Sequence, residues 1–469
     1  MFLRPTQPYN RLRSANNRGA ALILSMIFVL VFSALAVSLA TLSGTNVQIA
    51  NNQHKINSAF GSAESGLEIM RYWLNRVRIP NSTAPSAIFS TVAASLQSDL
   101  TSNGISNITA NYDGSQITIP SVTLVSTDNT SFSAILRQLD NDTLQLDVTG
   151  TNGQIRRTIR VNYNIEPYQY PIFDYGLATK GPLHINGNPS LTGINEPWEA
   201  SVYIESQNDD LALVIKGNSD IAGDISIAKP NAQVQLQGNV SIGGETGQAA
   251  IDNHIFLNAD TIEFPFPDPG HFQQYEIVDI IDSSTDTSGN MTITNAIVSA
   301  GTDPIFSGNV QINGILFIES PNKVKFAGNL TMTGLIVANG DVDSPSPDNE
   351  LTFGGNVHTY PVSQLPEELQ FEQLRQETGS LILAPGFSVS FQGNFSMLDG
   401  IIAASGTEFF GNANGTIKGS VINYADTPMV LKGNANLHFD RSANIKVPAC
   451  FDTTRVLQYD PSSYSEINL

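Results

Sequence analysis

The chain is poor in residues on which many folds and binding functions depend. Only one cysteine, Cys450, occurs among 469 residues, so an internal disulfide cannot form and a disulfide scaffold is excluded. Charged residues make up 14% of the sequence and hydrophobic residues 41%, which is typical of a folded protein and not of a disordered one. The lone cysteine is interpreted as a small residue that packs near the C-terminus.

Acidic residues are missing from the start of the chain, where the first carboxylate is Glu64. Four arginines lie in residues 1–19, and beyond them the chain has 19 basic and 43 acidic residues. Nucleic-acid partners need basic surfaces, so this excess of acid argues against such a partner. The length of the chain indicates two or three folded units.

An uncharged run of 23 residues extends from Ala20 to Leu42. About 20 helical residues cross the hydrocarbon core of a membrane, so the run predicts one transmembrane helix. The arginines precede the run, which places residues 1–19 in the cytoplasm as a basic leader and the bulk of the chain outside. A secretory signal with Ala34-Leu35-Ala36 as its cleavage site, and a simple membrane anchor, are the alternatives.

Apolar residues continue at helical spacing beyond this run, in steps of four and three. Pro80 ends the pattern, so we expect a hydrophobic and then amphipathic helix over 20–78. This continuity argues against a leader that is discarded in the middle of the apolar run. The stripe consists of Ile56, Phe60, Ala63, Leu67, Met70, Leu74 and Val77.

Two short motifs in this segment resemble the N-terminal region of PilX-type minor pilins of type IV pilus systems. The first is Arg18-Gly19 before the apolar run, and the second is AFGSAESGLE at 59–68. The resemblance implies that a prepilin peptidase cuts between Gly19 and Ala20, and that the mature helix packs with other pilins or pseudopilins. It also implies a bacterial inner membrane location, followed by periplasm or a cell-surface filament. The motif residues are Ala63, Glu64, Gly66 and Leu67.

One position departs from the major pilins that this segment resembles. Those proteins carry a glutamate at the fifth mature residue, where it neutralises the terminal amine of a neighbouring subunit, whereas here that residue is Leu24. A buried amine without its carboxylate is costly, so a subunit with leucine fits best where no lateral amine needs a partner. Leu24 therefore favours a minor, capping or priming subunit.

The segment 81–167 is predicted to form a small pilin-like α+β head. It opens with a Ser/Thr/Ala/Pro-rich linker, and later stretches alternate apolar and polar residues, as half-buried strands do. The arginines of QIRRTIRVNY at 154–163 are interpreted as a solvated strand face.

Gly-Asn recurs through residues 172–448, with spacings that cluster near 20 or its multiples. Such a period is typical of a parallel β-helix, so we expect a β-solenoid in which Gly-Asn turns the chain from one sheet to the next. Stacked corner asparagines should hydrogen bond from coil to coil inside a narrow prism. A further copy, Gly289-Asn290, lies in a polar stretch and is not counted. The corners are Asn188, Asn218, Asn239, Asn309, Asn329, Asn356, Asn394, Asn412 and Asn434.

Two segments interrupt the repeat, at about 263–304 and 360–380. The first contains FPFPDP, which cannot be a central strand, and 365–377 has the pattern of a short helix. Both are expected to project as loops or lids, and residues 449–469 to form a C-terminal tail. The repeat resembles, more loosely, the β-helical or bactofilin-like segments of some bacterial surface proteins.

No catalytic residue is predicted, because Asp209-Asp210 is an isolated pair and the six histidines are scattered. No cofactor is expected. An acidic loop could hold Ca²⁺ through hard oxygen ligands, although its spacing fits no standard calcium loop. Phenylalanines just before Gly-Asn, at 326, 353, 391, 409 and 410, are expected to stack in the core. The candidate calcium ligands are Asp341, Asp343, Asp348 and Glu350.

The leading hypothesis is therefore a mainly β structural protein of a type IV pilus or type II-like secretion system. It would have a transmembrane helix, a small α+β head and an exported β-solenoid, and it would be a minor or capping subunit. The alternatives are a membrane-anchored adhesin that binds surface glycans and, less favoured, a β-helix polysaccharide lyase or hydrolase.

Overall fold

The computed structural model describes residues 18–80, 82–275, 279–442, 448, 450–451 and 454–467. Most of the predicted leader, residues 1–17, lies outside the described residues. The chain divides into two compact units. We call the unit of residues up to 79, 83–166 and 456 onward the head, and the unit of 80–82 and 167–455 the solenoid. The fold is mainly β with a long N-terminal helix, as predicted.

The first helix, α1, runs from Arg18 to Leu74 over 57 residues, about 85 Å at 1.5 Å per residue. It ends four residues before the predicted limit of 78, because the backbone nitrogens of Arg76 and Val77 donate three residues back, to Trp73 and Leu74. This tight turn still leaves Val77 fully buried in the head.

A second helix, α2, spans Ile88–Ser102 inside the region predicted as a linker. Its buried residues include Ile88, Val92, Leu96 and Leu100, an i, i+4 stripe that favours a helix packed on one side. The strands that accompany these helices are β1 Ile79–Pro80, β2 Asn111–Tyr112, β3 Gln116–Val125, β4 Thr130–Gln138, β5 Thr143–Asn152 and β6 Ile155–Pro167.

The solenoid begins with coils that each contribute three short parallel strands. Helix α3, Gln248–His254, follows the third coil, and its Ile251 packs against the solenoid core. The strands of this first group are β7 Leu177–Thr179, β8 Leu183–Gly187, β9 Ser190–Gly193, β10 Val202–Ile204, β11 Leu211–Gly217, β12 Asp220–Ile221, β13 Ile225–Ile227, β14 Gln233–Gln237, β15 Ser241–Ile242, β16 Glu245–Thr246 and β17 Ile255–Leu257.

A second group of coils follows, and several of its strands continue round a corner of the coil. These strands are β18 Asp279–Ile281, β19 Met291–Val298, β20 Ile305–Phe306, β21 Val310–Glu319, β22 Lys323–Phe326, β23 Leu330–Asn339, β24 Glu350–Phe353, β25 Val357–Tyr360, β26 Ser380–Phe391, β27 Met397–Asp399, β28 Ile401–Phe409, β29 Asn414–Lys418, β30 Val421–Asn423, β31 Met429–Gly433 and β32 Asn436–Phe439.

The coils do not stack in the order of the sequence. The first coil pairs with the second through β7 and β10, and on its other side with the last coil through β7 and β30. From β7 the ladder continues in one direction to β17, and in the other through β28, β26, β23, β21 and β19 to β18. The chain therefore starts in the middle of the stack, winds to one end, crosses to the other end and winds back.

The crossing segment, residues 258–278, joins strands at opposite ends of this ladder. Ten inter-strand steps of about 4.8 Å make about 48 Å, and 21 extended residues reach at most about 70 Å. In the described part of the segment, residues 258–275, the prolines of FPFPDP favour an extended chain, and a six-residue 3-10 helix follows at Pro269–Gln274. The expected insertion 263–304 is shorter than predicted, because β18 and β19 belong to the stack.

The interruptions do not project as lids. Phe264 and Phe272 of the crossing segment, and Phe371 and Leu374 of the second interruption, lie in one buried cluster with Phe317 of β21. This cluster covers one outer face of the solenoid, so residues such as Ile315, Leu316 and Phe317 are buried in succession and not alternately. The predicted helix at 365–377 is instead a set of short 3-10 turns, Val362–Gln364, Leu369–Phe371 and Leu374–Gln376.

The chain returns to the head through β33, Thr454–Ile467. This strand lies between β1 and β6, so the sheet order is β1, β33, β6, β5, β4, β3, β2. The segment predicted as a tail, 449–469, thus supplies a strand of the head. One signal is the alternation of the apolar Leu457 and Tyr459 with the polar Gln458 and Asp460; Leu457 is buried, and Tyr459 packs against the head core.

Candidate functional site

The exposed part of α1 is the first candidate site. From Ala20 to Ala50 every residue of the helix is exposed, and no charged residue lies between Arg18 and His54. The helix is long and apolar enough to cross a membrane, with a mean hydropathy of 2.8 in its most apolar window. Such a surface is stable only in lipid or against other apolar helices. The segment therefore indicates membrane anchoring.

The predicted processing positions lie in the first turns of this helix. Gly19 and Ala20 are helical, and Leu24 is 59% exposed one turn later. Leu24 is surrounded by apolar residues such as Met26 and Ile27, and the described part of the helix before Glu64 carries no carboxylate. The helix thus presents an uncharged, apolar surface around Leu24.

The second motif lies where the helix meets the head sheet. A Cβ atom on Gly150 of β5 would fall 2.2 Å from the carbonyl oxygen of Ala59 and 2.2 Å from the amide nitrogen of Ala63. Similarly, a Cβ on Gly66 would fall 2.6 Å from Cγ of Phe132. Small residues on both elements let the helix backbone approach the sheet, which explains Ala63 and Gly66 in the motif.

The remaining motif residues divide between core and surface. Leu67 is buried among the head residues, whereas Glu64 is exposed. The predicted stripe is buried from Ala63 onward, while Ile56 and Phe60 are half-buried. Between these two residues of the helix, Ser58 accepts at Oγ a hydrogen bond of 2.8 Å from Nδ2 of Asn152 in β5. The motif is therefore the anchorage of the long helix on the head.

An ion-pair network lies on the opposite face of the head sheet. Asp147 accepts from Nη1 of Arg137 at 2.7 Å and from Nε of Arg160 at 2.7 Å, and its side chain is only 5% exposed. Burial alone would raise the pKa of Asp147, but hydrogen bonds from Arg160 and Arg137 outweigh it and lower that pKa. Arg160, interpreted from the sequence as part of a solvated face, thus has a structural partner.

The Gly-Asn corners form ladders of asparagine side chains. Asn218 donates to Asn188 at 3.2 Å, and Asn188 donates to Asn434 at 3.1 Å across the junction of the first and last coils. A second run joins Asn356 to Asn329 at 3.1 Å and Asn329 to Asn309 at 3.0 Å. The longest contact, at 3.5 Å, joins Asn434 to Asn412, and Asn239 and Asn394 occupy equivalent exposed corners.

These ladders lie on the surface and not inside a narrow prism, since all nine predicted asparagines are exposed. The uncounted Asn290 belongs to them, because its Oδ1 accepts from the backbone nitrogen of Asn309 at 2.9 Å. Glycine is needed for two reasons. Gly217 has a φ of 124°, whereas Gly328 lacks a positive φ but would place a Cβ 2.0 Å from the carbonyl oxygen of Gly308. Close stacking of backbones therefore fixes the glycine as much as turn geometry does.

The predicted phenylalanine column is confirmed, with Phe306 as an additional member. Neighbouring rings lie parallel with centroids 4.8–5.5 Å apart, and each of the five is almost fully buried. Phe410 is half-buried outside the column. The column is Phe306, Phe326, Phe353, Phe391 and Phe409.

The structure does not bring the four candidate calcium ligands together. Asp341 accepts from the backbone of Asp343, Asp348 pairs with Lys323 at 2.8 Å, and Glu350 accepts from the hydroxyl of Thr352. Within the described residues no group of three or more His, Cys, Asp or Glu side chains could hold a metal ion.

The other weighed residues have local partners. Asp209 caps the backbone of Leu211, and Asp210 pairs with Lys229 at 2.8 Å. Cys450 is buried as a free thiol, and this burial raises its pKa. Two of the scattered histidines, His358 and His438, line the same surface cavity, although 80 residues separate them in the sequence. Only the repeat period of the coils could have indicated that these two residues lie close together.

Comparison with known proteins bears on the N-terminal region. Residues 18–68 match the PilX N-terminal family, so the predicted resemblance is confirmed over that segment. The match covers the apolar helix and its anchorage on the head, and it ends before β1. A comparison with curated proteins finds no match.

One similar solved structure is the competence-associated pilin ComZ from Thermus thermophilus. The two chains share 12% identity, and the alignment covers 88% of this chain and 97% of that one with a TM-score of 0.32. The alignment thus spans most of both chains, but the structural agreement is low. The similarity to pilins therefore rests on the family match at residues 18–68.

Proposed function

We propose that this protein is a minor pilin-like structural subunit of a type IV pilus or a type II-like secretion pseudopilus. The single observation that carries the proposal is the continuous helix α1. Its first half is apolar and exposed, its second half is anchored on the head, and residues 18–68 match the PilX N-terminal family. Assembly with other apolar helices, and not catalysis, is the task that such a surface suits.

In this proposal a prepilin peptidase removes residues 1–19 by cutting between Gly19 and Ala20. The N-terminus lies in the cytoplasm because the arginines precede the apolar run. The mature helix then leaves the lipid laterally for a bundle of pilin helices, while the head and the solenoid lie outside the inner membrane.

Leu24 supports a capping or priming position over a place in the body of the filament. A terminal amine in an apolar bundle needs a carboxylate to offset its desolvation. Leu24 offers none to a neighbouring subunit, so the subunit fits best where no neighbour depends on it. The solenoid would then be displayed as a cap, spacer or adhesive surface.

Intact-mass analysis of the membrane-extracted protein tests the proposal. Co-expression with a prepilin peptidase should remove the mass of residues 1–19, and Gly19→Leu should block the cut. Gly61→Ala is the matched control, because a Cβ at that helical glycine meets nothing within 4 Å, and it should be processed normally. Retention of residues 1–19 would overturn the proposal, and loss of residues up to Ala36 would indicate simple secretion.

A further inference from the structure

The solenoid carries a cavity of about 580 Å³ on its outer surface, beside the asparagine corners. It lies where one sheet is interrupted, since the backbone ladder between β25 and the following coil is reduced to one bridge between Val357 and Phe395, beside side-chain bonds such as that from Thr359 to the carbonyl oxygen of Met397. Gly415 lines the cavity without a side chain, and a Cβ there would fall 1.7 Å from the carbonyl oxygen of Phe395. The cavity is therefore built into the coil stack and cannot be filled by that residue.

The cavity extends across coils and not along a strand. Its lining comes from five successive coils, from Asn329 and Thr331 at one end to His438 at the other. Four steps of about 4.8 Å give a length of about 19 Å. A peptide that adds a strand to a sheet runs parallel to the existing strands, so a chain lying in this groove cannot bind in that way.

The chemistry of the lining is uniform. Of the described lining residues none carries a carboxylate, an ammonium or a guanidinium group, in a chain with a net charge of −20. This composition does not suit a hard cation such as Ca²⁺ or Mg²⁺, which binds carboxylates, or a phosphate, which binds charged donors. The polar groups are amides, hydroxyls and imidazoles, which both donate and accept hydrogen bonds.

Several of these groups are already held in place. Asn356 and Asn329 are fixed in the corner ladder, His358 is bonded through Nδ1 to Oγ of Ser396, and His438 through Nδ1 to Oγ1 of Thr192 at 2.7 Å. The hydrogen bond at Nδ1 thus fixes the orientation of each imidazole ring, and the other ring nitrogen can bond to a ligand. Orientation in advance lowers the entropy cost of binding.

We propose that this groove binds a neutral glycan chain across the coils of the solenoid. A glycan without charged groups offers hydroxyls that donate and accept, and it needs no charged partner. The amides of Asn329, Asn356, Asn394 and Asn414 and the hydroxyls of Thr331 and Ser396 match that chemistry. The proposal concerns the solenoid alone and does not depend on how α1 is used.

Isothermal titration of the full chain in lauryldimethylamine oxide, a detergent without sugar, tests the proposal. The probes are cellohexaose, maltohexaose, chitohexaose and, as the charged comparison, a hexamer of galacturonic acid. At least one neutral hexamer should bind, and at least ten-fold more tightly than the charged one. No heat from any neutral hexamer, or equal binding of the charged one, would overturn the proposal.

Two matched pairs of variants locate the site. Thr331→Trp should weaken binding at least ten-fold by filling the groove, whereas Gln311→Trp, at the Cα partner position one coil away, should not. Asn356→Ala should weaken binding about five-fold through a lost hydrogen bond, and Asn218→Ala, in the other ladder, should leave it unchanged. Circular dichroism checks that each variant is folded. Equal effects within either pair, or shortening of the glycan seen by mass spectrometry, would contradict the proposal.

Discussion

The head and the solenoid bury apolar residues by different routes. In the head, one face of an antiparallel sheet is covered by α1 and α2, and each contact, such as Gly150 against Ala63, occurs once. In the solenoid each contact recurs from coil to coil, as in the phenylalanine column. A substitution in the head should therefore disturb one unique contact between helix and sheet, whereas a substitution in the solenoid removes one of several equivalent contacts between coils.

The two tryptophans allow this comparison to be measured. Trp73 is 5% exposed in the head, and Trp198 is 52% exposed in the solenoid. In a Trp198→Phe background, fluorescence reports unfolding of the head alone. Circular dichroism contains signals from both units, because α1 and α2 belong to the head and most of the strands to the solenoid. A transition in circular dichroism that the Trp73 fluorescence does not show therefore reports the solenoid. All predictions below use the full chain in detergent and these two signals.

The largest effect is expected from the phenylalanine column. Phe353→Ala removes a ring stacked on both sides, so we expect the solenoid to lose about 3–5 kcal/mol of unfolding free energy, with the fluorescence transition of Trp73 unchanged. Phe256→Ala, at a ring that is 48% exposed, is the control and should cost far less. Equal losses of unfolding free energy for both variants would show that stacking in the column contributes no more than an exposed ring does.

A somewhat smaller effect is expected at the joint between helix and sheet. Gly150→Ala places a methyl group against the backbone of Ala59 and Ala63, which should destabilise the head by about 2–3 kcal/mol in the Trp73 fluorescence transition. Gly61→Ala in the same helix should be neutral or stabilising by up to about 1 kcal/mol. A stable Gly150→Ala variant would mean that the helix is not held so closely.

The ion-pair network should make the head sensitive to acid. The pKa of Asp147 is lowered in the folded state, so its stabilising contribution is present above the ordinary value of 3.8 and is lost as pH falls through the lower folded value. Asp147→Asn should cost about 1–2 kcal/mol at pH 7, because both arginines remain partly exposed, and the difference should shrink toward pH 2. A difference that is independent of pH would refute the assignment.

The smallest effect is expected in the surface ladder. Asn329→Ala breaks three hydrogen bonds of that side chain, two to other asparagine side chains and one from the backbone nitrogen of Asn356; all are exposed to water, so the solenoid should lose only about 0.5–1 kcal/mol. The measurement is the shift in the circular dichroism transition. Gln311→Ala, on the same surface without a ladder position, serves as the control. A loss as large as that of Phe353→Ala would mean that the ladder, and not the core, holds the coils together.

Local patterns predicted the parts of this fold that depend on local chemistry. The a/d spacing that ends before Pro80 located α1, and phenylalanine before Gly-Asn located the core column. The i, i+4 stripe of α2 was equally visible in IFSTVAASL, but the neighbouring serines, threonines and prolines favoured a linker. Propensity alone was the weaker signal there.

The parts that could not be predicted depend on distant pairing. Parallel coils look alike, so nothing in the sequence of β7 specifies β30 as a neighbour 244 residues away. The covered face does have a local signal, namely apolar runs such as ILFI at 315–318 and LIVA at 335–338, which are typical of strands buried on both sides. The groove has no local signature, because its residues converge only through the coil stack.

The order of the coils has a consequence for how such a protein can change. The chain enters the solenoid at the first coil and leaves it from the last, and these two coils are hydrogen-bonded neighbours; at the junction the backbone nitrogen of Tyr168 donates to the carbonyl oxygen of Thr454 at 2.8 Å. The two ends of the solenoid segment therefore lie next to each other, and the whole segment is inserted between β6 and β33 as a single connection. Coils can be gained or lost toward either end of the stack without moving the two points at which the chain enters and leaves it, so the length of the solenoid can evolve independently of the head.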